Sequence, residues 1–272
     1  MLVLSHTGGQ RMDDNDIENA LNTQTDAKLS LLHFATIGST NQYAKQLCEH
    51  TAYQTPCVVW ADQQTAGVGK FSRPFYSAAN GGLYTTLIMP NLLISAPKVG
   101  LFTTSLAMAT VSAIQTCFNL TVDVKWVNDI YLHDRKIAGI LVEQGAHNAI
   151  IIGIGINLFQ QNFPNEIQKT AGNLLTAAPS ETIRQQFFIT LISQLYQSCF
   201  TYTNLKFLSD YKRHLMLMDH RIQLQLGRSV ITGTVTDINQ LGQLVIVDAT
   251  THQHRSIPAG EVTKVFPWSF VA

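Results

Sequence analysis

Residues 149–158, AIIIGIGINL, constrain this chain more than any other stretch. The run 149–156 is its longest apolar run and falls far short of the roughly 20 residues that span a bilayer. It therefore reads as a strand inside a globular fold, interrupted by Gly153 and Gly155. Glycine within a strand marks a place where a ligand or another backbone comes close. The expectation is a sheet with something lying against this strand.

Other strand-like runs cover residues 31–37, 57–60, 82–90 and 122–126, and residues 130–142 read as a hairpin turning at 133–135. Helical spacing of Tyr43, Ala44, Leu47 and Cys48 follows Ser39, and Ser39 with Gln42 has the form of a capping box. Residues 99–118 read as a helix, with Phe102 and Met108 as core packing. Residues 159–179 are loop-like and 181–217 strongly helical. From Arg221 the pattern changes to short alternating runs at 222–226, 230–238, 243–247, 255–257 and 262–265, with turns at 239–242 and 248–253. That is the signature of a small antiparallel barrel. The predicted fold is α+β: a mixed, largely antiparallel central sheet with helices, then the small β-barrel. The expected divisions are a polar N-terminal extension at 1–30 with room for one short helix, a main domain at 31–219 and a C-terminal domain at 220–272.

The chain has 272 residues, long enough to bury a sizeable core without a staple. Eighteen basic and 18 acidic residues leave no net charge, which does not support a general affinity for nucleic acid. Cys48, Cys57, Cys117 and Cys199 form no CxxC pair and read as reduced thiols. No signal peptide or membrane span is expected, so the reading is a cytoplasmic protein, monomer or homodimer.

Residues 62–76, DQQTAGVGKFSRPFY, form a loop behind the strand at 57–60. Glycines let backbone N–H groups converge on an anion, and Lys70 and Arg73 add positive charge. A dinucleotide fingerprint would need glycine where Ser72 stands, and a phosphate-binding P-loop would need Ser or Thr after Lys70 rather than Phe71. Three further stretches share this character: Ser39-Thr40-Asn41, residues 125–129 with Lys136, and residues 153–157. All lie at strand ends or turns, which in an open sheet can converge on one pocket.

These stretches resemble the biotin protein ligase family. GSTNQYAKQL is similar to the family's first biotin-contacting segment, and QTAGVGK to its glycine loop, usually QxxGRGRxGR. KWVNDIYLHDRKIAGILVE follows KWPND…KxAGxLxE closely, and IIGIGINL resembles the GxGxN strand. The C-terminal barrel stands where the family has an SH3-like domain. The resemblance covers residues 31–266, and implies a catalytic core like that of class II aminoacyl-tRNA synthetases.

The resemblance implies two steps. Biotin's carboxylate attacks the α-phosphate of ATP, giving biotinyl-adenylate and pyrophosphate. A lysine amine of a biotin carboxyl carrier domain then attacks the mixed anhydride. Each nucleophile comes from a substrate, so no catalytic triad is needed; fixed cations must offset the repulsion between two anions. By motif position, Lys136, Lys70 and Arg73 take the catalytic role, Lys136 bridging carboxylate and phosphate. Ser39, Thr40, Asn41 and Gln64, with Gly67, Val68, Gly69, Lys70, Lys136, Gly139 and Gly155, are expected around biotin. Arg73, Phe75, Lys125, Asn128, Asp129 and Asn157 are expected around ATP, Asp129 also near Mg²⁺.

Val68 stands where the family has arginine, Ser72 where it has glycine, and Val127 where it has proline. Lys70 replaces an arginine and keeps the charge while losing the planar fork. Phe75 stands where a tryptophan often stacks on adenine. Few residues precede Ser39, so the DNA-binding winged helix of some relatives is not expected. A lipoate ligase and a non-catalytic biotin sensor are the alternatives. His252 and His254 lack a visible third partner for a metal.

Overall fold

The computed structural model describes residues 11–266; residues 1–10, where the absence of a signal segment was expected, and 267–272 lie outside the described residues. Seven strands build the main sheet: β1 (Ser30–Phe34), β2 (Cys57–Ala61), β3 (Gly82–Met89), β4 (Asp123–Lys125), β5 (Asp129–Leu132), β6 (Arg135–Gln144) and β7 (Ile150–Asn157). Their order is β1-β2-β3-β7-β6-β5-β4. Only β1 and β2 run parallel, so the sheet is mixed, as expected.

The two-residue period of a strand sorts β7. Ile150, Ile152, Ile154 and Ile156 enter the main core. Ile151 enters a smaller cluster with Ala44 and Cys48 of helix α2 (Thr40–His50), so Gly153 and Gly155 fall on that same opposite face. The glycines therefore clear the face on which a ligand or side chain can lie, and leave the core face unbroken.

Helices α1 (Asp14–Thr25), α3 (Val99–Phe118) and α4 (Glu181–Thr201) cover the core face. α1 starts with a capping box between Asp13 and Asp16, and buries Ile17 and Leu21 completely. The polar N-terminal segment thus supplies core residues through a single helical stripe. Residues 96–118 are long and apolar enough to cross a membrane by composition; here most of that stretch is buried, and α3 packs along α4.

The helix expected over 181–217 is interrupted. α4 ends at Thr201, Leu205 takes a left-handed φ of 61°, and α5 spans Leu208–His214. Asn204 is the local cause: its side chain accepts from the Lys206 N–H at 3.0 Å, replacing a helical hydrogen bond.

β8 (Arg221–Leu226), β9 (Ser229–Ile238), β10 (Leu244–Asp248), β11 (His254–Ile257) and β12 (Glu261–Phe266) form an antiparallel sheet in the order β11-β10-β9-β8-β12. The strands are those expected, but among the described residues the pairing runs open from β11 to β12 and does not close into a barrel. This sheet is pinned to the main one. Trp126 Nε1 donates to the Gly242 carbonyl at 2.9 Å, and Lys212 pairs with Asp237 at 2.6 Å. Gly242, at φ 71°, lies so close to Gly100 and Leu101 that a Cβ would sit 2.5 Å from the Leu101 nitrogen.

Candidate active site

A cavity of about 1000 Å³ opens on the glycine face of β7. Of the residues expected from the sequence, Ser39, Thr40, Asn41, Gln64, Val68, Gly69, Lys70, Arg73, Phe75, Lys125, Asn128, Asp129, Lys136, Gly139, Gly155 and Asn157 all line it. Gly67 does not. It is buried beneath the loop, where a Cβ would lie 2.5 Å from the Phe75 carbonyl oxygen and 2.9 Å from Ser77 Oγ. Its missing Cβ serves the loop's own packing.

The glycine loop is a small hairpin. Phe75 N donates to Gly67 O and Gly69 N to Arg73 O, each at 2.8 Å, while Phe71 and Ser72 at the tip adopt left-handed φ of 59° and 58°. Phe71 is exposed at this tip. Phe75 turns inward, and its ring covers Gly155.

One end of the cavity is polar and uncharged. Ser39 caps α2 by accepting from Gln42 N, which is the serine half of the expected capping box. Thr40 N and Thr40 Oγ1 both reach Gln64 Oε1, at 2.8 and 3.2 Å, and Gln64 Nε2 donates to Ser77 Oγ at 2.9 Å. Thr86 of β3, fully buried, lies 2.9 Å from Thr40 Oγ1 and 2.6 Å from Asn41 Oδ1. Gly153 makes room for Asn41: a Cβ there would overlap the Asn41 amide.

The other end is cationic. Lys136 Nζ pairs with Asp129 Oδ1 at 2.7 Å. Lys125, Lys70 and Arg73 line the same space. Burial pushes the Lys125 and Lys70 amines below the ordinary lysine value, with Asp129 opposing. With Lys169, five cations line the cavity as a whole against four carboxylates, Asp129, Asp134, Glu166 and Glu261, and four of the five cations are the lysines and arginine of this end. Asn128 Nδ2 donates to Ile140 O at 2.5 Å, tying the lysine-bearing strands together. Asn157 Nδ2 donates to Gly172 O, while its Oδ1 is buried without a protein partner.

Two parts of the site had no reading in the sequence. Gly260, Glu261 and Val262 of the C-terminal sheet enter the cavity. Arg73 forks onto Glu261, Nη2 to Oε2 at 3.0 Å, and Lys70 Nζ reaches Gly260 O at 3.4 Å. Hydrogen bonding holds the Glu261 carboxyl below its usual range and the Arg73 guanidinium above its own. The second part is the segment 163–171, with Phe163, Glu166, Lys169 and Thr170 on the cavity wall. It is fastened at Lys136, whose N–H donates to Thr170 O at 2.8 Å and whose carbonyl accepts from Gly172 N at 2.9 Å. Neither segment carries a motif; only long-range packing brings them here. Among the described residues, no group of three His, Cys, Asp or Glu side chains could hold a metal by itself, His252 and His254 included.

Residues 33–157 match the biotin/lipoate A/B protein ligase family. The bifunctional ligase/repressor BirA of Salmonella typhimurium is 30% identical over 247 residues, 87% of this chain and 74% of that one. BirA of Bacillus subtilis is 34% identical over 176 residues, 62% of this chain and 53% of the relative, so the chain spans about half the length of that protein. Biotin protein ligase from Aquifex aeolicus, in complex with biotin and ATP, superposes with a TM-score of 0.73 at 23% identity, covering 86% of this chain and 97% of that one. The cavity, the motifs around it and these likenesses agree, and the chain belongs to the biotin/lipoate A/B protein ligase family.

Proposed function

We propose that this chain is an ATP-dependent biotin protein ligase. The observation that carries the reading is one cavity with two unlike ends: a neutral hydrogen-bonding floor at Thr40, Asn41 and Gln64, and a cationic end at Lys136, Lys125, Lys70 and Arg73. Biotin has matching ends, a ureido ring and a carboxylate. With the ring on the floor, the carboxylate reaches Lys136, where the α-phosphate of ATP also meets the lysines. The carboxylate oxygen attacks phosphorus, the bond to pyrophosphate breaks, and biotinyl-adenylate remains. A carrier lysine amine then attacks the carbonyl, AMP leaves, and the amine loses its proton. Fixed cations in a partly dry pocket contribute most where charge accumulates. This assigns Lys136, Lys70 and Arg73 to the reacting groups, with Lys125, Asn128, Asn157 and Phe75 toward the nucleotide.

Mg²⁺ travels with ATP and is held by one or two carboxylates plus phosphate oxygens. Asp129 fits that role, since Lys136 engages one of its oxygens and the side chain lines the cavity. The metal would neutralise phosphate charge. We further read residues 31–219 as the catalytic unit and the sheet beyond 220 as an SH3-like module, with residues 1–30 preceding them. The Aquifex aeolicus complex with biotin and ATP, and a Mycobacterium tuberculosis biotin–[acetyl-CoA-carboxylase] ligase 23% identical over 218 residues, support the choice of biotin.

The test is transfer of labelled biotin to a purified biotin carboxyl carrier domain, with ATP and with lipoate as competitor. ATP-dependent labelling that lipoate leaves intact is expected. Labelling of the carrier by lipoate instead, or no pyrophosphate release with biotin and ATP, overturns the reading.

A further inference from the structure

Glu143 closes the KIAGILVE stretch of β6, outside the catalytic groups assigned above. Its two carboxylate oxygens are divided. Oε1 accepts from Lys45 Nζ at 2.5 Å, and Oε2 accepts from Asn41 Nδ2 at 3.1 Å. A carboxylate without a proton only accepts, so the Asn41 amide must turn its nitrogen toward Glu143. Its oxygen then faces Thr86 and the space over Gly153. That oxygen takes the single Thr86 proton at 2.6 Å. Thr40 Oγ1 donates its own proton to Gln64 Oε1 at 3.2 Å and lies 2.9 Å from Thr86 Oγ1. Both threonine hydroxyl protons are consumed inside the network, so at Asn41 Oδ1 and Thr40 Oγ1 lone pairs are what remain for a guest.

We infer that Glu143 is a positioning and specificity-determining residue: by fixing the Asn41 amide, it keeps the cavity floor a hydrogen-bond acceptor and so selects a guest that brings N–H donors. This rests on the proposal that the floor receives biotin, whose ureido group carries two N–H groups. A ring without N–H groups, such as a dithiolane, leaves these acceptors unpaired, and a site built around hydrogen bonds discriminates strongly against such a ligand. Asn41 and Thr86 are buried, so water does not readily replace the missing partner.

Lys45 makes the inference sharp. In Glu143→Gln, Lys45 still donates, so it holds the amide oxygen of residue 143. The amide nitrogen then faces Asn41, which must turn its oxygen toward it. The Asn41 NH₂ now points at Thr86 and the floor, where it opposes a ureido N–H. Adding Lys45→Met to that variant frees the residue-143 amide to rotate, and the original Asn41 orientation returns.

The experiment is titration calorimetry of biotin, with steady-state KM for ATP, on wild type, E143Q and E143Q/K45M. E143Q is expected to bind biotin about tenfold more weakly, the scale of one buried hydrogen bond reversed, with KM for ATP within about twofold. The double variant is expected to recover most of the loss. Unchanged biotin affinity in E143Q, an equal loss for ATP, or no recovery in E143Q/K45M each overturns the inference. Wild type that binds no biotin instead sinks the ligase reading, so the two failures are distinguishable.

Discussion

The ring of Phe75 packs so close to β7 that a Cβ on Gly155 would stand 2.6 Å from Phe75 Cζ. A loop residue and a strand residue 80 positions apart in the chain thus share one small volume on the cavity wall. Gly155→Ala is expected to push Phe75 into the cavity. Overpacking of this kind costs about 1–3 kcal/mol, visible as a lowered midpoint in denaturant. The KM for ATP should rise with it, because Phe75 borders the nucleotide end in the proposed reaction. A variant of wild-type stability and KM would mean the ring has another place to go.

Lys136 serves two elements at once: its amine faces Asp129 in the cavity, and its backbone holds the 163–171 segment. Lys136→Ala keeps the backbone bonds and removes only the amine. A part-exposed pair of this sort contributes about 0–1 kcal/mol to stability, so the fold should survive. Loss of a charge at the reacting phosphate costs about 10²–10³ in kcat. Pyrophosphate release with biotin and ATP measures it, and near-wild-type release would remove Lys136 from the reacting groups.

Much of this site was legible because its chemistry sits in short runs. KWVND and KIAGILVE place Lys125, Asp129 and Lys136 on adjacent strands by local sequence alone, and Gly153 and Gly155 announced a close approach on β7. Sequence did not say what approaches: at Gly153 it is Asn41, and at Gly155 it is Phe75. At Gly67 the close approach is the loop's own: the Phe75 carbonyl and Ser77 Oγ take the space a Cβ would fill. Glu261 and Gly260 were invisible because they reach the cavity from a separate sheet, almost 200 residues from Arg73 and Lys70. The break at Leu205 depended on one Asn204 side chain competing with a helical carbonyl, an effect too local for periodicity to register.

Lys70 donates to the Gly260 carbonyl at 3.4 Å and lies 5.0 Å from the centre of the Phe71 ring, whereas Arg73 forks onto Glu261. An ammonium is a point donor where a guanidinium grips two oxygens. Lys70→Arg is therefore expected to hold the adenylate more tightly. Trapping free biotinyl-adenylate with a hydroxylamine quench should show about tenfold less escape, the gain of one added charge-assisted hydrogen bond. Equal escape from both proteins would refute the weaker clamp.

His33, which does not line the cavity, bridges two carboxylates. Its Nδ1 lies 2.9 Å from Asp14 and its Nε2 3.2 Å from Asp62, and its ring stacks on Trp60 at 4.2 Å. Two carboxylates on two ring nitrogens require both to be protonated. The hydrogen bond with Asp62 accordingly raises His33 above its ordinary 6.5, against an opposing burial effect. A raised folded value means that the protonated ring stabilises fully below pH 6.5, and that this contribution fades as pH rises through the folded value. Asp62 works in the opposite sense: burial pushes its carboxyl up, but His33 and Arg184 outweigh burial and hold it below 3.8. Its contribution is present above pH 3.8 and is lost on further acidification. The thermal midpoint is thus expected to decline from pH 6.5 toward alkaline pH. In His33→Gln that decline should flatten, with the variant less stable than wild type at pH 6. A parallel pH dependence in both proteins would place the titrating group elsewhere.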